Sequence, residues 1–242
     1  MAKAQASLGV TVAVFSFDPS PETAANRALH VLTLRQELPR AELDARDTFE
    51  AAGARAVEEA GVRLEAGRKG HGAGRLHLVG LDDAPGGRTR EVTAWYYATV
   101  PFVEVPRPAV WSLAGRSTKL RGPDGAAFKA SLDRLRAESR YVAGAVGLLG
   151  EVFTGDDLLR LYNALHGEPE GSERTFRRRV QELRDSGVLK PVRDSEVAAL
   201  RLRVARFHSP AGTGGRPPEL LRYTGTGGEQ EQLAVLRTRR SA

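Results

Sequence analysis

Between residues 153 and 192, apolar positions recur with the period of a helix twice over, on either side of a break. Leu158, Leu161, Tyr162 and Leu165 fall at i, i+3, i+4 and i+7, one face of a helix. Thr154 opens that run and Asp157 lies three residues on, the spacing of a capping box. His166-Gly167-Glu168-Pro169 stops it, since Gly and Pro cannot continue a helix. A second helix is predicted from a cap at Ser172. Phe176, Val180 and Leu183 point inward there, and Arg174, Arg177, Arg178 and Arg179 crowd the other faces. Gly187 ends it. A helix, a turn and a basic helix form the layout of a helix-turn-helix, whose second helix enters the DNA major groove.

Upstream the period changes to two. Residues 10–17, 29–34, 75–81 and 92–100 alternate as strands, the first two forming an antiparallel pair across a Pro-rich turn. Residues 47–60 read as a helix capped at Asp47, with Glu50 three residues on and Gly61 closing it. Residues 128–140 read as a helix with Leu132 and Leu135 on one side, expected to pack under the helix-turn-helix. Past Pro191 the pattern turns strand-like over 197–207. A Gly- and Pro-rich stretch and a strand at 220–223 follow, so a wing is predicted with Arg216 near its tip. The fold class is α+β. A sensing domain is expected over residues 1–125 and a winged helix-turn-helix over 126–242.

Charge sharpens this division. The net charge is +6: residues 1–125 carry 16 Lys and Arg against 15 Asp and Glu, and residues 126–242 carry 20 against 15. The cationic excess lies with the arginine-rich helix, where it would neutralise phosphates and release counterions. There is no cysteine, which excludes disulfides and thiolate metal sites. No stretch has membrane-spanning length and the N-terminus has no signal-peptide layout, so a cytoplasmic location is expected. His30, His71, His77, His166 and His208 show no metal-ligand spacing.

Leu38-Pro39-Arg40-Ala41-Glu42-Leu43 followed by Arg55-Ala56-Val57-Glu58-Glu59-Ala60-Gly61-Val62 resembles a degenerate Nudix box. In that family a Leu-Pro-Gly-Gly stretch leads into a helix whose carboxylates hold magnesium against a pyrophosphate. Here Arg40 and Ala41 replace the glycines, Asp47 stands where a glutamate is expected, and Ala56 replaces the glutamate after the box arginine. The segment is also one residue short. Hard oxygen ligands must surround magnesium closely, so no cofactor is required on this reading, and magnesium at a degenerate site is all the resemblance allows. Three C-terminal stretches extend the likeness: LRAESRYVAGAVGLLGEVFTGDDLLRLYNALHG, TFRRRVQELRDSGVLKPV and GRPPELLRY. Together with GRTREVTAWYYATVP, they resemble Nudix-related transcriptional regulators of the NrtR type.

The resemblance implies a Nudix-like α/β/α sandwich followed by a winged helix-turn-helix. It implies a homodimer on an inverted-repeat operator in double-stranded DNA, controlling NAD-related or sugar-utilisation genes, with a nucleotide effector such as ADP-ribose. Arg174, Thr175, Arg177, Arg178 and Arg216 are the expected DNA contacts. Arg40, Arg55, Glu58, Glu59 and Tyr97 are the expected effector contacts, Tyr97 sharing a strand face with Trp95. Neither a catalytic residue nor a metal ligand is assigned. The competing reading is a Nudix hydrolase of a nucleoside diphosphate derivative. A third, a helical interaction module, leaves the arginines unexplained.

Overall fold

The computed structural model describes residues 5–20, 22–64, 74–86, 89–115, 118–167, 173–203 and 218–225. A 13-residue strand, β1 (Gln5–Phe17), lies at the centre of the main sheet. A later strand, β5 (Thr89–Pro101), runs parallel to it along its whole length, from Gln5 opposite Thr89 to Phe17 opposite Pro101. The other edge of β1 is shared. One antiparallel partner, β3 (Arg40–Glu42), takes residues 9–11, and another, β2 (Leu29–Leu34), takes residues 15–17. Outside these lie β4 (His77–Gly86), antiparallel to β5, and β6 (Ala109–Leu113), antiparallel to β2.

Alternation along β1 decides what covers each face, because successive side chains point to opposite sides of a sheet. Val10, Val12 and Val14 meet Ala52 and Val57 of α1 (Phe49–Glu59). Ala13, Phe15 and Phe17 meet Phe128, Leu132 and Leu135 of α2 (Asp124–Glu138). A sheet between two helices is the α/β/α sandwich expected. The helix expected at residues 128–140 begins earlier, at Asp124, and its apolar face covers the sheet.

The chain then builds α3 (Val142–Val146), β7 (Phe153–Thr154), α4 (Gly155–His166), α5 (Glu173–Asp185) and β8 (Leu189–Pro191). The last described elements are α6 (Asp194–Arg203) and β9 (Leu220–Tyr223). Strands β7, β9 and β8 form an antiparallel three-stranded sheet in that order. Three helices backed by such a sheet make a winged helix-turn-helix. Its core is continuous with the α2 side of the sandwich, since Leu158, Leu161, Phe176, Leu183 and Tyr223 belong to the same buried cluster as Phe15 and Leu135. Gly144 permits a close approach here. A Cβ there would stand 2.3 Å from the carbonyl oxygen of Glu138, so α3 rests directly on the end of α2.

Two expectations need correction. The stretch expected as a strand over 197–207 is helical through Arg203. Val197 and Leu200, three apart, pack against Val152, Val192 and Leu220, which is helical spacing. The cap of α1 is Thr48, whose hydroxyl accepts from the Ala51 N–H at 3.1 Å, and not Asp47. The Asp47 carboxylate is held instead by Arg55 at 2.6 Å.

Candidate DNA interface and effector cavity

The helix-turn-helix assembles as its apolar period requires. Thr154 and Asp157 exchange both bonds of a capping box: the Asp157 N–H donates to Thr154 Oγ1 at 3.0 Å and the Thr154 N–H to Asp157 Oδ2 at 2.9 Å. Leu158, Leu161, Tyr162 and Leu165 of α4 are buried, as are Phe176, Val180 and Leu183 of α5. Burial of that stripe turns the remainder of α5 outward. Arg174, Thr175, Arg177 and Arg178 are exposed together at its N-terminal part.

The arginines are not equivalent. Arg177 pairs with Glu173 at 2.7 Å and lies 3.4 Å from Asp156. Arg178, 73% exposed, reaches Glu182 at 3.5 Å. Arg179 is 20% exposed and folded back on Glu182 at 3.1 Å. Arg174 has no ion pair among the described residues. Arg216, placed at the wing tip from the sequence, lies outside the described residues, as do Ser172, His71 and His208.

Two sets of bonds tie this unit to the sandwich. Arg160 on α4 donates to the backbone carbonyls of Pro19 at 2.7 Å, Ser20 at 2.5 Å and Thr23 at 2.7 Å. At the C-terminal end of α2, Arg136 Nε donates to the Leu165 carbonyl at 2.9 Å, and Ser139 Oγ lies 3.2 Å from His166 Nε2. His166 is held well below its ordinary pKa, at about 4, by burial and by the nearby Arg140 and Arg136.

A cavity of about 370 Å³ opens on the α2 face of the sheet, between the first turn of α2 and strands β1, β3, β4 and β5. Arg40 borders it and pairs with the buried Asp124 at 2.5 Å. Asp124 also accepts the Leu38 N–H at 2.7 Å, so it fixes the entry to β3 to the start of α2. Trp95 lines the cavity, and Tyr97, on the same face of β5, is buried deeper. The Tyr97 hydroxyl donates to Glu138, and its ring stacks on His77 at 4.7 Å. Burial, then Glu138, push the Tyr97 hydroxyl well above the usual phenol range, so it stays protonated as that donor.

The other box residues stand apart. Arg55 is held by Asp47, with Asp44 at 3.8 Å, and donates to the Glu42 carbonyl at 2.9 Å. Glu58 and Glu59 are exposed on α1, Glu58 lying 3.7 Å from Arg63. Among the described residues, no three His, Asp or Glu side chains are placed to hold a metal ion. Ala56 stands where a Nudix box has a glutamate, and Glu58 and Glu59 are the carboxylates that remain at the end of α1. No described helix is long and apolar enough to cross a membrane.

These elements define a class: a Nudix-like sandwich followed by a winged helix-turn-helix. No protein-family model matches the chain, and no curated protein does. Solved structures do. NrtR of Shewanella oneidensis, in its complex with a 27mer DNA, superposes with a TM-score of 0.62 at 18% identity, covering 90% of this chain and 94% of that one. NrtR of the same organism in a second structure gives 0.61 at the same identity and coverage. A MutT/nudix family protein of Enterococcus faecalis gives 0.58 at 12% identity, covering 93% of this chain and 88% of that one. The chain has an NrtR-like fold.

Proposed function

We propose that the protein is a ligand-responsive, DNA-binding transcriptional regulator. As a homodimer it would set two copies of α5 in successive major grooves of an inverted-repeat operator. The carrying observation is the exposed basic face of α5 inside a winged helix whose fold, over nearly the whole chain, is shared with a protein solved on a 27mer DNA. The exposed N-terminal part of α5 is where side chains reach base edges and phosphates. Arg174 would meet DNA with no ion pair to give up among the described residues, whereas Arg178 would exchange the 3.5 Å contact to Glu182, and Arg177 the 2.7 Å contact to Glu173, for phosphate. Thr175 and Arg216 complete the proposed contact set.

The cavity beside α2 is proposed as the effector site, with Arg40 at its mouth. A nucleotide-type effector such as ADP-ribose, and NAD or nucleotide-sugar genes as targets, follow from the resemblance. Effector binding regulates DNA affinity only through a difference in effector affinity between two arrangements of the dimer. Catalysis is not part of this reading, because Ala56 takes the place of a box glutamate and Arg40 and Ala41 that of the glycine pair.

The test is selection of bound fragments from genomic DNA by the purified protein, followed by titration at several salt concentrations. Arg178→Ala is expected to weaken binding by about 1–3 kcal/mol if it reads a guanine. Arg174→Ala, as a phosphate contact, should reduce the salt slope by about one. Unchanged affinity in alanine variants of Arg174, Thr175, Arg177 and Arg178 would remove α5 from the interface.

A further inference from the structure

We propose that two copies of the chain join through β4, pairing antiparallel about a two-fold axis between Val79 and Gly80. This rests on the homodimer of the regulator reading and names its interface. β4 is the outermost strand on its side of the main sheet, and its free edge has no partner strand among the described residues. An unpaired edge is a template for another chain, and natural edges are usually guarded by Lys, Pro or a bulge. From Leu78 to Leu81 this edge carries neither Lys nor Pro. It exposes two large apolar side chains instead, Leu78 at 56% and Leu81 at 63%.

A bulge is present, and it selects the register. The pairing of β4 with β5 shifts between Leu78 and Gly80, which breaks strict alternation. Leu78 lies opposite Tyr96 and Leu81 opposite Ala94, both on the α1 side of the sheet. His77 lies opposite Tyr97, Gly80 opposite Trp95 and Asp82 opposite Thr93, on the α2 side, where Val79 also packs. Residues directly opposite in a ladder share a face. With the axis between Val79 and Gly80 they do so from Leu76 to Asp83. Leu78 meets the partner's Leu81, Val79 the partner's Gly80, and His77 the partner's Asp82. With the axis anywhere else from Leu78 to Leu81, a residue of one face meets a residue of the other. The register also sets no like charges opposite each other, since Asp82 and Asp83 face the partner's His77 and Leu76. Such self-complementarity is what an isologous two-fold contact needs. Asp82 lines the effector cavity, so this pairing brings each cavity to the edge of the interface.

The chain has no cysteine, so cross-linking reads the register pair by pair. Leu78→Cys protein mixed with Leu81→Cys protein should form a disulfide-linked dimer on mild oxidation. Residues opposite in an antiparallel pair have Cα atoms about 4.5–5.5 Å apart, within disulfide reach. Either variant alone should form several-fold less, because its two cysteines are offset by about 10 Å along the strands. Sedimentation gives a second reading. Leu78→Glu combined with Leu81→Glu in one chain sets carboxylates opposite each other. It should raise the dimer dissociation constant by about tenfold or more, while thermal unfolding stays cooperative. Leu78→Lys combined with Leu81→Glu sets opposite charges across the axis and should restore most of that affinity, which mere loss of apolar surface would not allow. A monomeric wild type overturns the inference. So does a dimer that ignores the paired glutamates and gives no excess disulfide in the mixture; the two-fold contact then lies on another face, and the regulator reading stands. A wild-type protein that binds no DNA removes the regulator reading, while cross-linking still decides this one.

Discussion

Arg160 carries the junction between the two units at the scale of a single side chain. Its guanidinium serves three carbonyls of the turn after β1, and bonds from a charged donor are the stronger kind. Arg160→Ala is expected to cost about 1–3 kcal/mol in urea unfolding, and Arg160→Lys less, because an ammonium can keep part of the fork. His166, at the second junction, makes that contact pH-dependent. Its folded pKa of about 4 is below its unfolded value of about 6.5. The unfolded chain therefore binds a proton that the native chain does not, and stability falls as pH drops from about 6.5 towards 4. At a half-buried ring the loss should be of the order of 1 kcal/mol. Melting curves across that range, compared with His166→Gln, check the sign. A wild type and variant that fall in parallel would assign the loss to other groups.

At the scale of elements, the capping box of α4 offers the cleanest perturbation. Thr154→Ala leaves the Asp157 N–H without its acceptor and should cost about 1 kcal/mol. The same element shows what a sequence reveals. Thr154, Asp157 and the four apolar positions after them are local, so spacing alone located α4, its cap and its inward face. The inward face of α5 was legible for the same reason. Residues 197–203 were misread as part of a strand expected over 197–207. The i, i+3 pair of Val197 and Leu200, with Ala198 and Ala199 between, was the helical signal to follow. The candidate site was less legible than the fold. Arg40 is 84 residues from Asp124, and Arg160 is 140 from Ser20, separations no periodicity encodes. Trp95 and Tyr97 were correctly placed on one face, but which of them reaches the cavity depends on where α2 begins.

For the whole molecule, one winged helix reads too few base pairs for strong specificity, and a two-fold dimer maps onto a palindrome. Sedimentation should show a dimer free and on DNA, and a monomer in both would count against the operator geometry proposed. Incubation with ADP-ribose and magnesium or manganese should release no AMP. Robust release, lost on Glu58→Gln or Glu59→Gln, would instead make α1 a working catalytic helix. The parallel match of β1 to β5 carries a different consequence. Strand β1 finds its parallel partner only when residues 89–101 exist. Translation at roughly 5–20 residues per second leaves β1 waiting for several seconds with one long edge open. Phe15 and Phe17, whose cover on α2 is made later still, are bare during that interval, in a segment rich in strand-forming side chains. The nascent chain, rather than the finished protein, is therefore where aggregation competes with folding, and a chaperone that holds β1 would raise its yield most.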